Sequence, residues 1–150
     1  MSILSPGDKL PNFSTVDHNG NPVNSETLKG KKTVIYFYPK DMTPGCTAQA
    51  CNLRDNYQTL LDNQYNVIGI SPDNNKSHLK FVEKYSLPFP LISDTDKSIA
   101  KLFGVWGRKK FMGREYDGIN RTTFVFDEDL VVTEVIDKVN TKDHTEQIIK

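Results

Sequence analysis

Cysteine is scarce in this chain: 150 residues hold only two, Cys46 and Cys51. Two cysteines cannot build a multi-bridge scaffold, and a chain of this length buries enough core to stand without one. Net charge is missing as well, since 19 basic residues balance 19 acidic ones. Nothing here supplies the footprint of a nucleic-acid-binding or anionic-membrane protein, so neither partner is expected. No apolar run approaches the length of a membrane span. The stretch Met1-Ser2-Ile3-Leu4-Ser5-Pro6 is too short and too polar for a targeting segment. Repeats, low-complexity tracts and linkers are absent too, so a single domain over residues 1–150 and a cytoplasmic home are expected. In the reducing cytosol, two cysteines point to catalysis or metal binding rather than to a permanent staple. Zinc would need further ligands, and His18, His78 and His144 have no ligand spacing to the cysteines or to one another. No metal site is expected.

What is present is organised around Pro39-Lys40-Asp41-Met42-Thr43-Pro44-Gly45-Cys46, with Cys51 five residues later. The run Thr33-Val34-Ile35-Tyr36-Phe37-Tyr38 before it is β-branched and aromatic, the pattern of a strand buried on both faces. After it, Cys46, Ala50, Leu53, Tyr57, Leu60 and Leu61 recur at helical spacing to about Leu61. Cys46 thus falls where a central strand hands over to a helix, the place where α/β sheets gather their chemistry. Thr43 is the expected N-cap, and Pro44 suits the first helical position, where a missing N–H costs nothing. Gly45 lets another molecule approach the backbone. Cys46 lies in the first turn, where unpaired amides and the helix dipole favour a thiolate. The Thr43 hydroxyl is expected to accept from a backbone amide while donating to the sulfur or to a substrate.

The rest of the chain predicts an ordered set of elements around this turn. Asn19-Gly20 marks an N-terminal hairpin whose second strand includes Val23. Asn24 or Ser25 caps a short turn through Leu28 that closes at Gly30. Asn66–Ser71 is a second buried strand, and Asn75 caps a helix to Tyr85 with Leu79, Val82 and Tyr85 on one face. Residues 87–93 carry two prolines and lead into a short edge strand at best. Lys97 to Phe103 is a short helix stopped by Gly104. Val105-Trp106-Gly107 opens a loop that runs to about Asn120. Thr122–Phe126 and Val131–Ile136 are strands joined at Asp127-Glu128-Asp129, and Thr141 or Asp143 starts a terminal helix with Ile148 and Ile149. This order predicts an α/β fold, a thioredoxin-like three-layer α/β/α sandwich with an N-terminal β-hairpin extension.

Pro39-x-x-x-Thr43-x-x-Cys46 matches the active-site signature of the peroxiredoxins. The wider stretch from Phe37 to Thr47, with Cys51, resembles the bacterioferritin comigratory protein (peroxiredoxin Q) subfamily. The resemblance continues at Gly69-Ile70-Ser71, Phe89–Asp94, Gly104–Gly107 and Arg121–Asp127, nearly the whole chain. It implies a thiol-dependent peroxidase that reduces hydrogen peroxide and organic hydroperoxides, recycled by thioredoxin or a glutaredoxin-like reductant. Such proteins are often monomeric, and a monomer without cofactor is expected here. Carried over by position, Cys46 resembles the peroxidatic cysteine and Cys51 the resolving one, while Pro39, Thr43 and Arg121 match the pocket positions. Two residues depart from the subfamily pattern: Leu130 and Asp143 stand where glycine is usual.

The residue types suit that chemistry. A thiolate attacks the peroxide O–O bond and becomes a sulfenic acid, which a second thiol condenses to a disulfide. Charge spreads over sulfur and both oxygens, where a guanidinium, a hydroxyl and first-turn amides stabilise it. If both cysteines share one helix, their Cα atoms lie about 8.6 Å apart and are rotated by about 140°. A disulfide needs less than about 7 Å, so resolution requires unwinding. Two other classes compete with the peroxidase. A general disulfide oxidoreductase of thioredoxin type has two residues between its cysteines, against four here, and a metal carrier or peroxide sensor would turn nothing over.

Overall fold

The computed structural model describes residues 3–149. Its centre is a five-stranded sheet in the order β5-β4-β3-β8-β9. Strand β3 (Lys32–Phe37) lies in the middle, parallel to β4 (Tyr65–Ser71) and antiparallel to β8 (Thr122–Phe126). Strand β5 (Leu91–Ser93) forms one edge and β9 (Val132–Ile136) the other. The prolines before β5 agree with that edge position.

Alternation along β3 divides the interior. Ile35 and Phe37 point to one face, packed with Phe103, Phe124 and Phe126. Val34, Tyr36 and Tyr38 point to the other, packed with Cys46, Ala50, Leu53, Leu60, Phe81 and Phe89. The first face is covered by α5 (Ser98–Phe103) and by the hairpin of β1 (Ser14–Val16) and β2 (Pro22–Asn24) with α1 (Ser25–Leu28). The second is covered by α2 (Pro44–Asp55), α3 (Tyr57–Asp62), α4 (Asn75–Tyr85) and α6 (His144–Ile148). This is the expected three-layer, thioredoxin-like sandwich with its N-terminal hairpin. Each fully buried Phe or Leu contributes about 1.5–3 kcal/mol, so the two cores hold the sheet from both sides.

Local chemistry sets most element ends as expected. Asn24 makes a capping box with Thr27, and Gly104 ends α5 at φ +79°. Asp94, just before α5, accepts from the Ile99 and Ala100 amides. At Gly69 an added Cβ would come within 2.8 Å of the Tyr36 ring and of Leu91, so glycine is what lets Tyr36 lie across the β3–β4 pair.

Four expectations need correcting. Helix α4 is capped by Asn74, whose side chain accepts from the Ser77 amide, and its buried residues are His78 and Phe81. Leu79 is 44% exposed, while Val82 and Tyr85 do pack against the second core, so the inward face is shifted from the one expected rather than opposite to it. The long helix from Cys46 to Leu61 breaks at Asn56 into α2 and α3. The loop expected from Val105 to Asn120 is an antiparallel hairpin of β6 (Trp106–Phe111) and β7 (Arg114–Ile119). Leu130 adopts left-handed φ +61° yet stays 7% exposed in the first core. Its burial offsets the conformational strain that glycine would have avoided.

Candidate active site

Strand β3 continues one residue past its end, with the Tyr38 amide donating to Ile70 O at 3.1 Å. The chain then turns through Pro39, which is half-buried, into α2. Thr43 is the N-cap residue and Pro44 follows at the first helical position, as expected. Its hydroxyl, however, makes no capping bond; it donates to Lys40 O at 2.9 Å. The expectation that it accepts from an amide and donates to sulfur is therefore corrected. With its proton engaged, the hydroxyl offers lone pairs to a substrate rather than a donor.

Cys46 sits in the first turn of α2 and is 1% exposed, buried in the second core with Tyr36, Tyr38 and Ala50. Arg121 immediately precedes β8, whose Thr122 pairs with Phe37 at the end of β3. That register delivers the guanidinium to the sulfur: Nη2 donates to Cys46 Sγ at 3.2 Å. Nη1 donates to Gln49 Oε1 at 2.6 Å. Gln49, one turn after Cys46, thus holds the fork of Arg121 in place, and sequence reasoning missed it. Its helical spacing from Cys46 was the available signal. A Cβ on residue 45 would lie 3.4 Å from Arg121 Nη2, an ordinary contact, so the guanidinium packs directly over the Gly45 backbone.

Other polar groups surround this centre. Burial, reinforced by the negative charge of Cys46, pushes the Tyr36 phenol well above its ordinary value. The β6–β7 hairpin brings Lys109 close, where its Nζ donates to Ile119 O at 2.7 Å. Burial first, and Arg121 second, lower its ammonium. His144 lies fully buried below β8, with Nε2 2.8 Å from Thr123 Oγ1 and Nδ1 2.8 Å from Gln147 Oε1. An amide oxygen only accepts, so Nδ1 carries the proton and Nε2 takes one from Thr123.

Cys51 is a free, half-buried thiol on the same helix as Cys46, which is also free. Over five residues of intact helix their Cα atoms stay about 8.6 Å apart, outside disulfide reach. The structure therefore brings Arg121, Gln49 and Cys46 together and holds Cys51 away. One cluster of metal-ligating types occurs among the described residues, Asp41, Asp73 and His78. Each already bonds to protein partners: Asp41 to Tyr38, Ser77 and His78, and Asp73 to Ser71 and the Asp41 amide.

A buried thiol at a helix N-terminus under a fixed guanidinium is a site for attacking an electrophilic oxygen. The AhpC/TSA family model matches residues 6–135. The chain belongs to this family. It is 44% identical to peroxiredoxin Bcp of Escherichia coli K12 over 99% of this chain and 96% of that protein. It is 42% identical to peroxiredoxin Bcp of Bacillus subtilis, over 96% of this chain and 92% of the relative. A structure described for the alkyl peroxide reduction activity of the Xanthomonas campestris bacterioferritin comigratory protein superimposes with TM-score 0.84 at 30% identity. The match covers 91% of this chain and 87% of that one. The subfamily is the bacterioferritin comigratory protein, or peroxiredoxin Q, group, and the chain is a thiol-dependent peroxidase. A peroxide substrate and a thiol reductant go with that membership. Among the described residues, no helix is long and apolar enough to cross a membrane.

Proposed function

We propose that Cys46 is the peroxidatic cysteine and Cys51 the resolving one, in a single domain acting as a cytoplasmic monomer. The observation that carries this reading is Arg121 Nη2 at 3.2 Å from the buried Cys46 sulfur. The thiolate attacks one oxygen of the hydroperoxide, the O–O bond breaks, and the departing oxygen takes a proton to leave as water or alcohol. Arg121 and the first-turn amides stabilise the charge spread over sulfur and oxygens, and the Thr43 oxygen accepts from the peroxide O–H. Pro39, which has no N–H, screens the sulfur without competing for its lone pairs. Cys46 is now a sulfenic acid. Cys51 thiol condenses with it, forming the S–S bond and releasing water. A dithiol such as thioredoxin, or a glutaredoxin-like donor, then reduces the disulfide and is itself oxidised. No cofactor enters the cycle.

The test is steady-state peroxide consumption with thioredoxin and its reductase, run with hydrogen peroxide and with an organic hydroperoxide. Sustained turnover dependent on Cys46 supports the reading. A single equivalent consumed, with no thioredoxin-dependent recovery of thiols, would overturn the recycling half and favour a sensor.

A further inference from the structure

We infer that Asp41 is a positioning residue for peroxide reduction, holding the loop that carries Pro39 and Thr43 in the geometry the reaction needs. The inference rests on Cys46 being the attacking thiol. Asp41 lies midway between Pro39 and Thr43 in the chain, yet its side chain points away from solvent and is 4% exposed. Its Oδ1 accepts from Tyr38 OH at 2.6 Å. Its Oδ2 is 2.8 Å from the donating Ser77 Oγ and 2.7 Å from His78 Nδ1. Its backbone amide donates to Asp73 Oδ2 at 2.7 Å, and the same oxygen accepts from Ser71 Oγ at 2.7 Å. His78 reaches onward, with Nε2 3.0 Å from Ile92 O. One residue in the loop is thereby tied through its side chain to the end of β3, helix α4 and, through His78, strand β5, and through its backbone amide to the turn after β4.

Hydrogen bonding in this knot also orients the His78 ring. A carbonyl oxygen only accepts, so His78 Nε2 carries a proton. Its Nδ1 shares a second hydrogen bond with Asp41 Oδ2. The clamp also has a backbone consequence. Met42, the next residue, is forced to φ +67°, a region that side chains rarely adopt. From there the chain reaches Thr43, which hydrogen-bonds back to Lys40 O and opens α2. The position of Thr43, and the direction in which the helix leaves with Cys46, are thus set from beneath by Asp41.

The experiment compares two electrophiles at the same sulfur in the full-length protein. Peroxide reduction needs Thr43, Pro39 and Arg121 in register, whereas alkylation by iodoacetamide needs only a reachable thiolate. Asp41→Asn turns an amide donor toward Ser77 or His78, which themselves donate. It should lower the second-order rate constant for hydrogen peroxide by about ten- to a hundred-fold, the scale of a small misplacement of reacting groups. The alkylation rate should hold or rise. Ser77→Ala, which removes one of the three donors and spares the loop itself, should show a smaller loss of the same selectivity. Equal proportional losses toward both electrophiles would overturn the inference, as would wild-type peroxide rate constants in both variants. Failure of the wild type to consume peroxide would instead overturn the assignment of Cys46 on which the inference stands.

Discussion

On the amino-terminal side of Cys46, residues 39–43 are tied down by a buried carboxylate, two hydroxyls, an imidazole and a second aspartate. On its carboxy-terminal side, Thr47 Oγ1 and Gln49 Nε2 are buried with no hydrogen-bond partner among the described residues. An unsatisfied buried donor or acceptor carries a penalty of about 1–3 kcal/mol, which unwinding would relieve. Beyond this segment the chain is anchored again. Asn52 Oδ1 accepts from the Thr145 amide and hydroxyl, and Asn52 Nδ2 donates to Lys142 O. A stretch containing both cysteines, tied across by Arg121 at Cys46 and Gln49 but with two buried polar atoms unpaired, therefore lies between two anchors. On the proposed reading, the difference teaches how one short segment serves two steps: the clamped side arranges attack on peroxide, and the side with unmet hydrogen bonds unwinds for the disulfide.

The hardest way to break this comparison is to remove the sulfurs themselves. Cys46→Ser should abolish peroxide reduction, because a neutral hydroxyl is a poor nucleophile for peroxide. Cys51→Ser should consume about one equivalent and stop at the sulfenic acid, absent an external thiol. Thiol counting and a sulfenate-trapping reagent read both outcomes; the reverse pattern would exchange the roles of the two sides.

Next in size are the groups that face the sulfur. Arg121→Lys keeps the charge but cannot span Cys46 Sγ and Gln49 Oε1 together. Thr43→Val keeps the shape and removes the oxygen. Each should slow the reaction with peroxide by roughly ten- to a thousand-fold, measured by competition kinetics. Near wild-type constants for both would remove these residues from the mechanism.

The comparison sharpens when the two redox forms are set side by side. Oxidation should increase amide exchange across residues 44–54, while β3 stays protected. Equal protection in both forms, with a Cys46–Cys51 disulfide confirmed by mass spectrometry, would contradict unwinding. The far anchor can be weakened alone: Asn52→Ala leaves the buried Thr145 amide without its partner and should lower stability by about 1–3 kcal/mol in urea unfolding.

The smallest effect is that of pH on the same anchor. Burial holds His144 below its ordinary value of 6.5, so the unfolded chain takes up that proton first as pH falls. Its contribution to stability is complete above about 6.5 and declines as pH drops toward the folded value. Burial lowers His18 too, with the same sign, so the informative quantity is the difference between proteins. Relative to wild type, His144→Gln should flatten the fall of stability between about pH 7 and 5 in denaturant titrations. Parallel curves would remove His144 from the acid response.

The sequence by itself determined what depends on near neighbours. The run from Thr33 to Tyr38 could only be a doubly buried strand, and Thr43-Pro44 could only open a helix, so Cys46 had to lie at the junction. Its nomination as a nucleophile needed no more than first-turn electrostatics. Partners distant in the chain were not legible in this way. Arg121 was named from family likeness alone, because nothing local distinguishes it from a surface arginine. Its arrival at the sulfur is a property of β8 lying beside β3. The β6–β7 hairpin reads as a loop in the sequence because glycines and a run of charged residues break any apolar alternation between Trp106 and Ile119. Cross-strand pairing, including Arg108 with Asp117, is what makes it a sheet. His78 gave no sign in the sequence that it points inward, since a histidine on a polar helix is ordinarily solvated. Only the fold sets the Asp41 carboxylate and the Ile92 carbonyl on either side of its ring, and a buried polar group is held where every hydrogen bond is met at once.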